Sequence, residues 1–461
     1  MTLPHTDPGA MGGMGAAAAT GGYVVNLLRE LVRINSVNPV FASRGNGPGG
    51  EGAICAYLAG LLRRMGLSTQ VYEAKPGRTS VVATLKGSGG GRSLMLNGHV
   101  DTVGFGGMKD PLSARIENGR LYGRGSYDMK AGVAASIAAV KKLIDSRMRL
   151  RGDVVLALVC DEEDASLGTD DVVKRVKVDG AIVTEPTGGR LALAHRGFSW
   201  IRVTTHGFAC HGSRFDLGID ANMMMGRYLA KLADLERDLR ARRPHKLAGP
   251  PSLHAPLLSG GQGPSIYSPS CTLQIERRTI PGEQREAILA DFHRIAEALR
   301  REDETLEHGK FNATVEEVLT RGPFEAVEDS PVASAVASAA RTVVGAEPER
   351  VGVPYWTDAA ILREAGVDVV VYGADGGLDA TGNLLRDGVP FGTHDTRGWP
   401  TFTGWPTYDT QTHEQVYYRW LQRAWMAGER LIVAETVEDA AICDIEPRKR
   451  YSCDETTAIR G

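Results

Sequence analysis

His99 and Asp101 stand two apart at the end of the apolar run Leu94-Met95-Leu96-Asn97-Gly98-His99-Val100-Asp101. Alternation along an extended chain puts both side chains on one side. A carboxylate beside an imidazole is how proteins orient the ring for a metal, one nitrogen binding and the other donating. A strand-end His held by an Asp for structure alone would read the same way. Three further acidic positions weigh on the choice. Asp128 closes Gly123-Arg124-Gly125-Ser126-Tyr127-Asp128, Asp161-Glu162-Glu163-Asp164 follows the apolar run 153–160, and Glu185 follows Gly180-Ala181-Ile182-Val183-Thr184. One acid at such a place is usually a helix cap, and the helix dipole would favour Asp128 at a helix start. Several acids and a His, all at the carboxyl ends of apolar strands or just before a helix, stand instead where open α/β sheets place their sites. The adjacent Glu162 and Glu163 point in different directions, so one can hold a metal while its neighbour faces a water. Like charges side by side are costly unless a cation or a shifted pKa relieves them, which argues for a divalent metal.

The elements that must position these residues are legible as periodicity. The run before His99 suits a buried strand of a parallel sheet. Apolar residues recur at helical spacing over 23–34 (Val24, Leu27, Leu28, Leu31, Val32), ended by the turn Ser36-Val37-Asn38-Pro39, and again over 53–65 (Ile54, Leu58, Leu61, Leu62). Strands are expected around 69–72 and 79–85, and a helix over 129–146. From 191 the texture changes. Residues 191–207 alternate like a strand pair, and Phe208-Ala209-Cys210-His211-Gly212-Ser213 follows. A helix at 221–243, a strand at 271–277 and a helix at 285–301 complete a compact α+β module inserted in the larger sheet. The first domain then resumes with a helix at 330–344, a helix opened by Tyr355-Trp356-Thr357-Asp358 and a strand at 367–372. The fold class is therefore α/β: a mixed, mostly parallel sheet flanked by helices, with an inserted α+β domain. The expected boundaries are a disordered Gly/Ala-rich tail at 1–22, a catalytic domain at 23–193 and 315–433, the inserted domain at 194–314, and a loose tail at 434–461.

A chain of 461 residues is long enough for two full cores. A net charge of −3 gives no reason to expect nucleic acid or an anionic membrane as partner. No apolar run reaches the ~18 residues of a membrane span. The first residues lack a basic start followed by an apolar core, so no secretory signal is expected. Six scattered cysteines without a C-x-x-C pair read as reduced thiols of a cytoplasmic enzyme.

Six motifs, taken in order, resemble the M20 family of zinc-dependent aminoacylases and peptidases. They are Gly98-His99-Val100-Asp101-Thr102-Val103, the run from Gly123 to Lys130, Asp161-Glu162-Glu163, Thr184-Glu185-Pro186-Thr187, the His206-Gly207 to His211-Gly212-Ser213 segment, and Glu276-Arg277-Arg278 with Pro281-Gly282-Glu283. The resemblance covers roughly 23–433. It implies two zinc ions per subunit, with cobalt able to substitute. His99 and Glu185 would bind the first, Asp128 would bridge, and Glu163 would bind the second. Asp101 would orient His99, and Glu162 would be the general base. The inserted domain would form a homodimer, and its His211 would reach the partner's site to stabilise the oxyanion. Arg278 would grip the substrate carboxylate, a task for two parallel hydrogen bonds. The implied reaction is hydrolysis of the amide bond of an N-acyl amino acid, of acetylornithine deacetylase type. A dipeptidase or carboxypeptidase on the same scaffold is the alternative enzyme.

The pattern departs from the family at one place. Where the family has a further zinc-binding His after Gly376-Gly377-Leu378, this chain has Asp379, and the helix start His413-Glu414-Gln415-Val416 comes only after an insert around 380–412. Asp379, His394 and His413 are the candidates. His413 is preferred because it stays attached to the helix that frames the site. If none serves, the second zinc keeps only Asp128 and Glu163, and the protein is an impaired pseudo-enzyme.

Overall fold

In the computed structural model, the described residues are 10–44, 49–106, 108–117, 119–303 and 310–374, with a short strand pair at Leu385–Arg386 and Val389–Pro390. The chain divides into two compact units, Met1–Asp375 and Gly376–Gly461. All labelled elements below belong to the first.

Helices α1 (Ala10–Arg33) and α2 (Gly52–Arg64) lead to strands β1 (Ser68–Lys75), β2 (Arg78–Leu85) and β3 (Leu94–His99). α1 starts at Ala10, well inside the stretch expected to be a disordered tail, because the alanines of 16–19 carry the highest helix propensity. The short hairpin β4 (Arg115–Glu117) and β5 (Arg120–Tyr122) precedes α3 (Lys130–Asp145), β6 (Val154–Val159), α4 (Leu167–Arg175), β7 (Gly180–Val183) and β8 (Leu191–His195). Next come β9 (Gly197–His206), α5 (Ala221–Ala241), β10 (Ser252–Gly260), β11 (Ser270–Thr279), α6 (Arg285–Glu302) and β12 (Ala313–Arg321). The described part of this unit closes with β13 (Phe324–Glu325), α7 (Pro331–Val344), β14 (Arg350–Val353), α8 (Ala359–Glu364) and β15 (Asp368–Val371).

The large sheet runs β1-β2-β6-β3-β7-β15-β8-β13, with β14 also paired to β8. Its centre, β6-β3-β7-β15, is parallel. From β3 the chain crosses through α3 to β6 on one side, then through α4 to β7 on the other. The two helices cover opposite faces. Val154, Leu156 and Leu158 meet α3 beside α1 and α2, whereas Val155, Ala157 and Val159 share a core with Val172 of α4 and with α8. β6 is accordingly buried at every residue. Gly132 lets α3 lie directly on the end of β7: a Cβ there would stand 2.2 Å from the Thr184 carbonyl oxygen. The connections diverge about β3, and in open α/β sheets such a divergence places the site at the carboxyl ends of the strands, here β6, β3 and β7.

The smaller antiparallel sheet, β10-β11-β9-β12, buries one face against α5 and α6 through Ile201, Val203, Leu273, Ile275, Tyr228 and Phe292. Two expectations change here. The alternating stretch 191–207 is not a strand pair: β8 is wholly buried in the large sheet, while β9 alternates in the small one. The sheets exchange the chain at Arg196 and at 322–323, so β12, which the expected boundary at 315 would split, lies wholly in the small sheet as the partner of β9. Among the described residues no helix is long and apolar enough to cross a membrane.

Candidate metal centre

β3 ends on His99, and its parallel neighbours β6 and β7 lead at their carboxyl ends to Glu162, Glu163 and Glu185. Asp128 arrives from the loop ahead of α3, and the Asp128–Met129 peptide is cis. His99 is buried. Its Nδ1 lies 2.9 Å from the Asp101 carbonyl oxygen, which can only accept, so Nδ1 carries the proton and donates. In a neutral imidazole Nε2 is then a bare lone pair. It faces carboxylate oxygens of Asp128 at 3.1 Å, Glu185 at 3.4 Å and Glu162 at 3.8 Å. Such a ring of lone pairs repels itself until a proton or a cation sits inside it.

The donor atoms form two overlapping sets, His99–Asp128–Glu163 and His99–Glu162–Glu185, each lying within 4.8 Å of one another. One imidazole nitrogen with converging carboxylate oxygens is a donor set that zinc accepts, and the imidazole donates its other N–H to a carbonyl as metal-bound histidines do. The residues present therefore fit a divalent metal. The cluster opens to solvent beside Asp128, whose side chain is 54% exposed against 5% for Glu185.

Crowding shows in the ionisation. Burial pushes Glu162 and Glu163 well above the usual carboxylate range and Glu185 up to about 7, with Asp128 adding repulsion to the last two. Burial opposes charge on His99, but Glu185 and Asp128 outweigh it and hold the ring well above 6.5. Desolvation on the side of Asp128 that meets the cluster opposes its charge as well, yet its bond to His99 keeps it low. Divalent charge in this cluster would displace those protons.

Asp101 differs from its expected role. Its carbonyl orients the ring, while its carboxylate oxygen is 3.7 Å from Nδ1. The carboxylate instead accepts from Glu162 N at 3.3 Å, Glu163 N at 3.2 Å and Asn38 Nδ2 at 2.8 Å. Backbone donors released at the end of β6 need an acceptor, and Asp101 supplies it.

The fold brings together His99, Asp101, Asp128, Glu162, Glu163 and Glu185. His211 lies elsewhere, on an exposed loop between β9 and α5, its Nδ1 2.8 Å from Ser213 Oγ. Arg278 on β11 pairs with Glu276 at 3.1 Å and lies over the Phe198 ring rather than on the cluster. His413, Asp379 and His394 lie outside the described residues.

Sequence reasoning passed over two buried members. Asp358, at the start of α8, makes no capping bond. It accepts from Thr169 Oγ1 at 2.6 Å, and burial, with a lesser repulsion from Asp101, raises it to about 6. Its charge in turn raises Glu162. Asn38 holds both Asp101 and Asp161. In the sequence the first resembles a helix cap and the second a turn residue before proline.

Over residues 95–383, well more than half of the chain, the sequence matches the model of peptidase family M20/M25/M40. The chain belongs to this family. Acetylornithine deacetylase of Myxococcus xanthus is 28% identical to this M20 chain over 302 residues, 64% of this chain and 76% of that protein. The N-formyl-4-amino-5-aminomethyl-2-methylpyrimidine deformylase of Bacillus subtilis is 28% identical over 263 residues, 52% of this chain; the chain spans only 60% of that relative's length. A dinuclear metal-binding peptidase of the M20 family from Bacillus subtilis has the same fold, with a TM-score of 0.58, 14% identity, and coverage of 80% of this chain and 92% of that one.

Proposed function

We propose that this M20 protein is a zinc-dependent hydrolase of the amide bond of N-acyl amino acids, with deacetylation of the acetylornithine type as its reaction. The observation that carries the reading is His99 Nε2, a lone pair enclosed by Asp128, Glu162 and Glu185 at the carboxyl edge of the sheet. His99, Asp128, Glu163 and Glu185 would hold two divalent ions. Ions held there would acidify a water and offset charge on the substrate oxygen. Glu162 would take one proton from a water as the water's oxygen bonds to the amide carbon, and would return it to the nitrogen as the C–N bond breaks. Asp101 fixes the backbone of Glu162 and Glu163 and the ring of His99 during these transfers.

The smaller sheet supports a dimerisation role for the inserted domain. Its edge strand β10 is exposed along most of its length, including Leu257 and Leu258. In a homodimer His211 from one copy would stabilise the oxyanion in the other, and Arg278 would bind the substrate carboxylate. Cys55, Cys160 and Cys271 are buried free thiols, in keeping with a cytoplasmic location. Two measurements test the reading. Zinc content of the purified chain should approach two ions per subunit; an intact fold that takes up none would leave a binding protein. Turnover on a panel of N-acyl amino acids and dipeptides, with zinc or cobalt added, should favour the acylated substrates, and preference for dipeptides would replace the deacylase with a peptidase.

A further inference from the structure

We infer that Arg78 is a positioning residue for Glu162 and Glu163, acting through a buried tether to Asp161. The inference rests on the metal-dependent reading above. Asp161 directly precedes the pair and has φ 71°, a left-handed conformation that L residues seldom adopt. Its carboxylate holds the turn. It accepts from Arg78 Nη2, from Asn38 Nδ2 at 3.0 Å and from Leu167 N at 3.3 Å. Arg78 is itself fixed from behind by Glu51, with Nη2 at 2.6 Å and Nε at 3.1 Å. Glu51 stands at the N-cap position of α2 but makes no capping bond; its carboxylate serves the guanidinium instead.

Glu51 and Asp161 are fully buried, and one guanidinium serves both. Only the planar fork of arginine offers enough donors in fixed directions for that geometry. On the far side of the turn, Glu162 N and Glu163 N donate to Asp101. Asn38 joins the two clamps, its Nδ2 reaching Asp101 at 2.8 Å and Asp161 at 3.0 Å. The backbone that aims Glu162 and Glu163 is thus held at both ends, and Arg78 anchors the end that Asp101 does not reach.

The test uses full-length protein freed of metal and titrated with cobalt, read by visible absorption and equilibrium dialysis, with kcat and KM measured on an N-acetyl amino acid at saturating zinc. Arg78→Met, folded by circular dichroism, should bind cobalt at least ~10-fold more weakly with an altered absorption band, as expected when a residue supporting metal ligands is lost. Its kcat should fall by a similar factor while KM stays within roughly 3-fold. Arg78→Lys keeps the charge without the fork and decides the matter if Arg78→Met does not fold. Asp161→Gly keeps the turn, since glycine adopts it freely, but loses the tether, and should show the same losses. Wild-type cobalt affinity, absorption band and kcat in folded Arg78→Lys and Asp161→Gly would overturn the role of Arg78 alone. A wild-type protein that takes up no cobalt would overturn the metal reading beneath it.

Discussion

Glu162 touches the most crowded part of the cluster, between His99 and Asp358, and its amide is held by Asp101. Glu162→Gln keeps the shape and removes the proposed base, so kcat should fall by ~10²–10⁴-fold while zinc content by elemental analysis stays at the wild-type level. The raised pKa values also set a direction for stability. Without metal, Glu185 titrates in the folded state near 7 rather than 4.5, and Asp358 near 6 rather than 3.8. Between those values the folded protein binds more protons than the unfolded chain, so stability falls as pH rises. His99, raised above 6.5, loses its contribution in the same direction as pH climbs through its folded pKa. Asp128, held low, acts oppositely but only at acid pH. Calorimetry should therefore find the metal-free protein melting lower at pH 8 than at pH 5, and added zinc should flatten or reverse that slope. The acids that the fold brings beside His99 were legible in the sequence because each follows an apolar run or opens a helix. Asp358 and Asn38 were not, because their significance lies in partners such as Thr169 and Asp161, more than a hundred positions away.

At the level of elements, the close approach of α3 to β7 sets the spacing between Asp128 and Glu185. Gly132→Val would drive a side chain into the Thr184 carbonyl and hydroxyl, 2.2 and 2.7 Å from the new Cβ. Overpacking of this kind costs ~1–3 kcal/mol, which urea denaturation should register, and cobalt binding should weaken as the two carboxylates separate. Periodicity reveals such elements well. The helices 221–243 and 285–301 and the strand 271–277 were expected within a few residues of where α5, α6 and β11 lie. Sheet membership was harder to read. The stretch 191–207 has strand texture throughout, yet β8 pairs with β14 and β13 while β9 pairs with β11 and β12. Those pairings are made with residues far along the chain, and no local pattern records them.

For the whole molecule, the exposed position of His211 has a consequence if two copies share a site. His211→Ala and Glu162→Gln should each be nearly inactive alone. Mixed and allowed to exchange subunits, they should regain activity at roughly a quarter of the sites, because a mixed dimer of two-fold symmetry holds one complete site. Sedimentation of the mixture would verify the dimer, and failure to regain activity would place all the chemistry within one subunit.

The junction between the two sheets carries a separate implication. The strand that leaves the large sheet and the strand that returns to it are themselves bonded, His195 opposite Phe324 and Ala194 opposite Glu325. At Gly197 they pass so closely that a Cβ would stand 2.5 Å from Arg321 O and Pro323 N. The entire satellite is thus grafted onto the stem of a hairpin. That satellite is threaded through one stem yet docked on its host as well: Phe198 and Trp200 of β9 pack with the core of the large sheet and Arg321 of β12 pairs with Asp170 at 2.7 Å, so trimming it would strip cover from the acid-bearing strands.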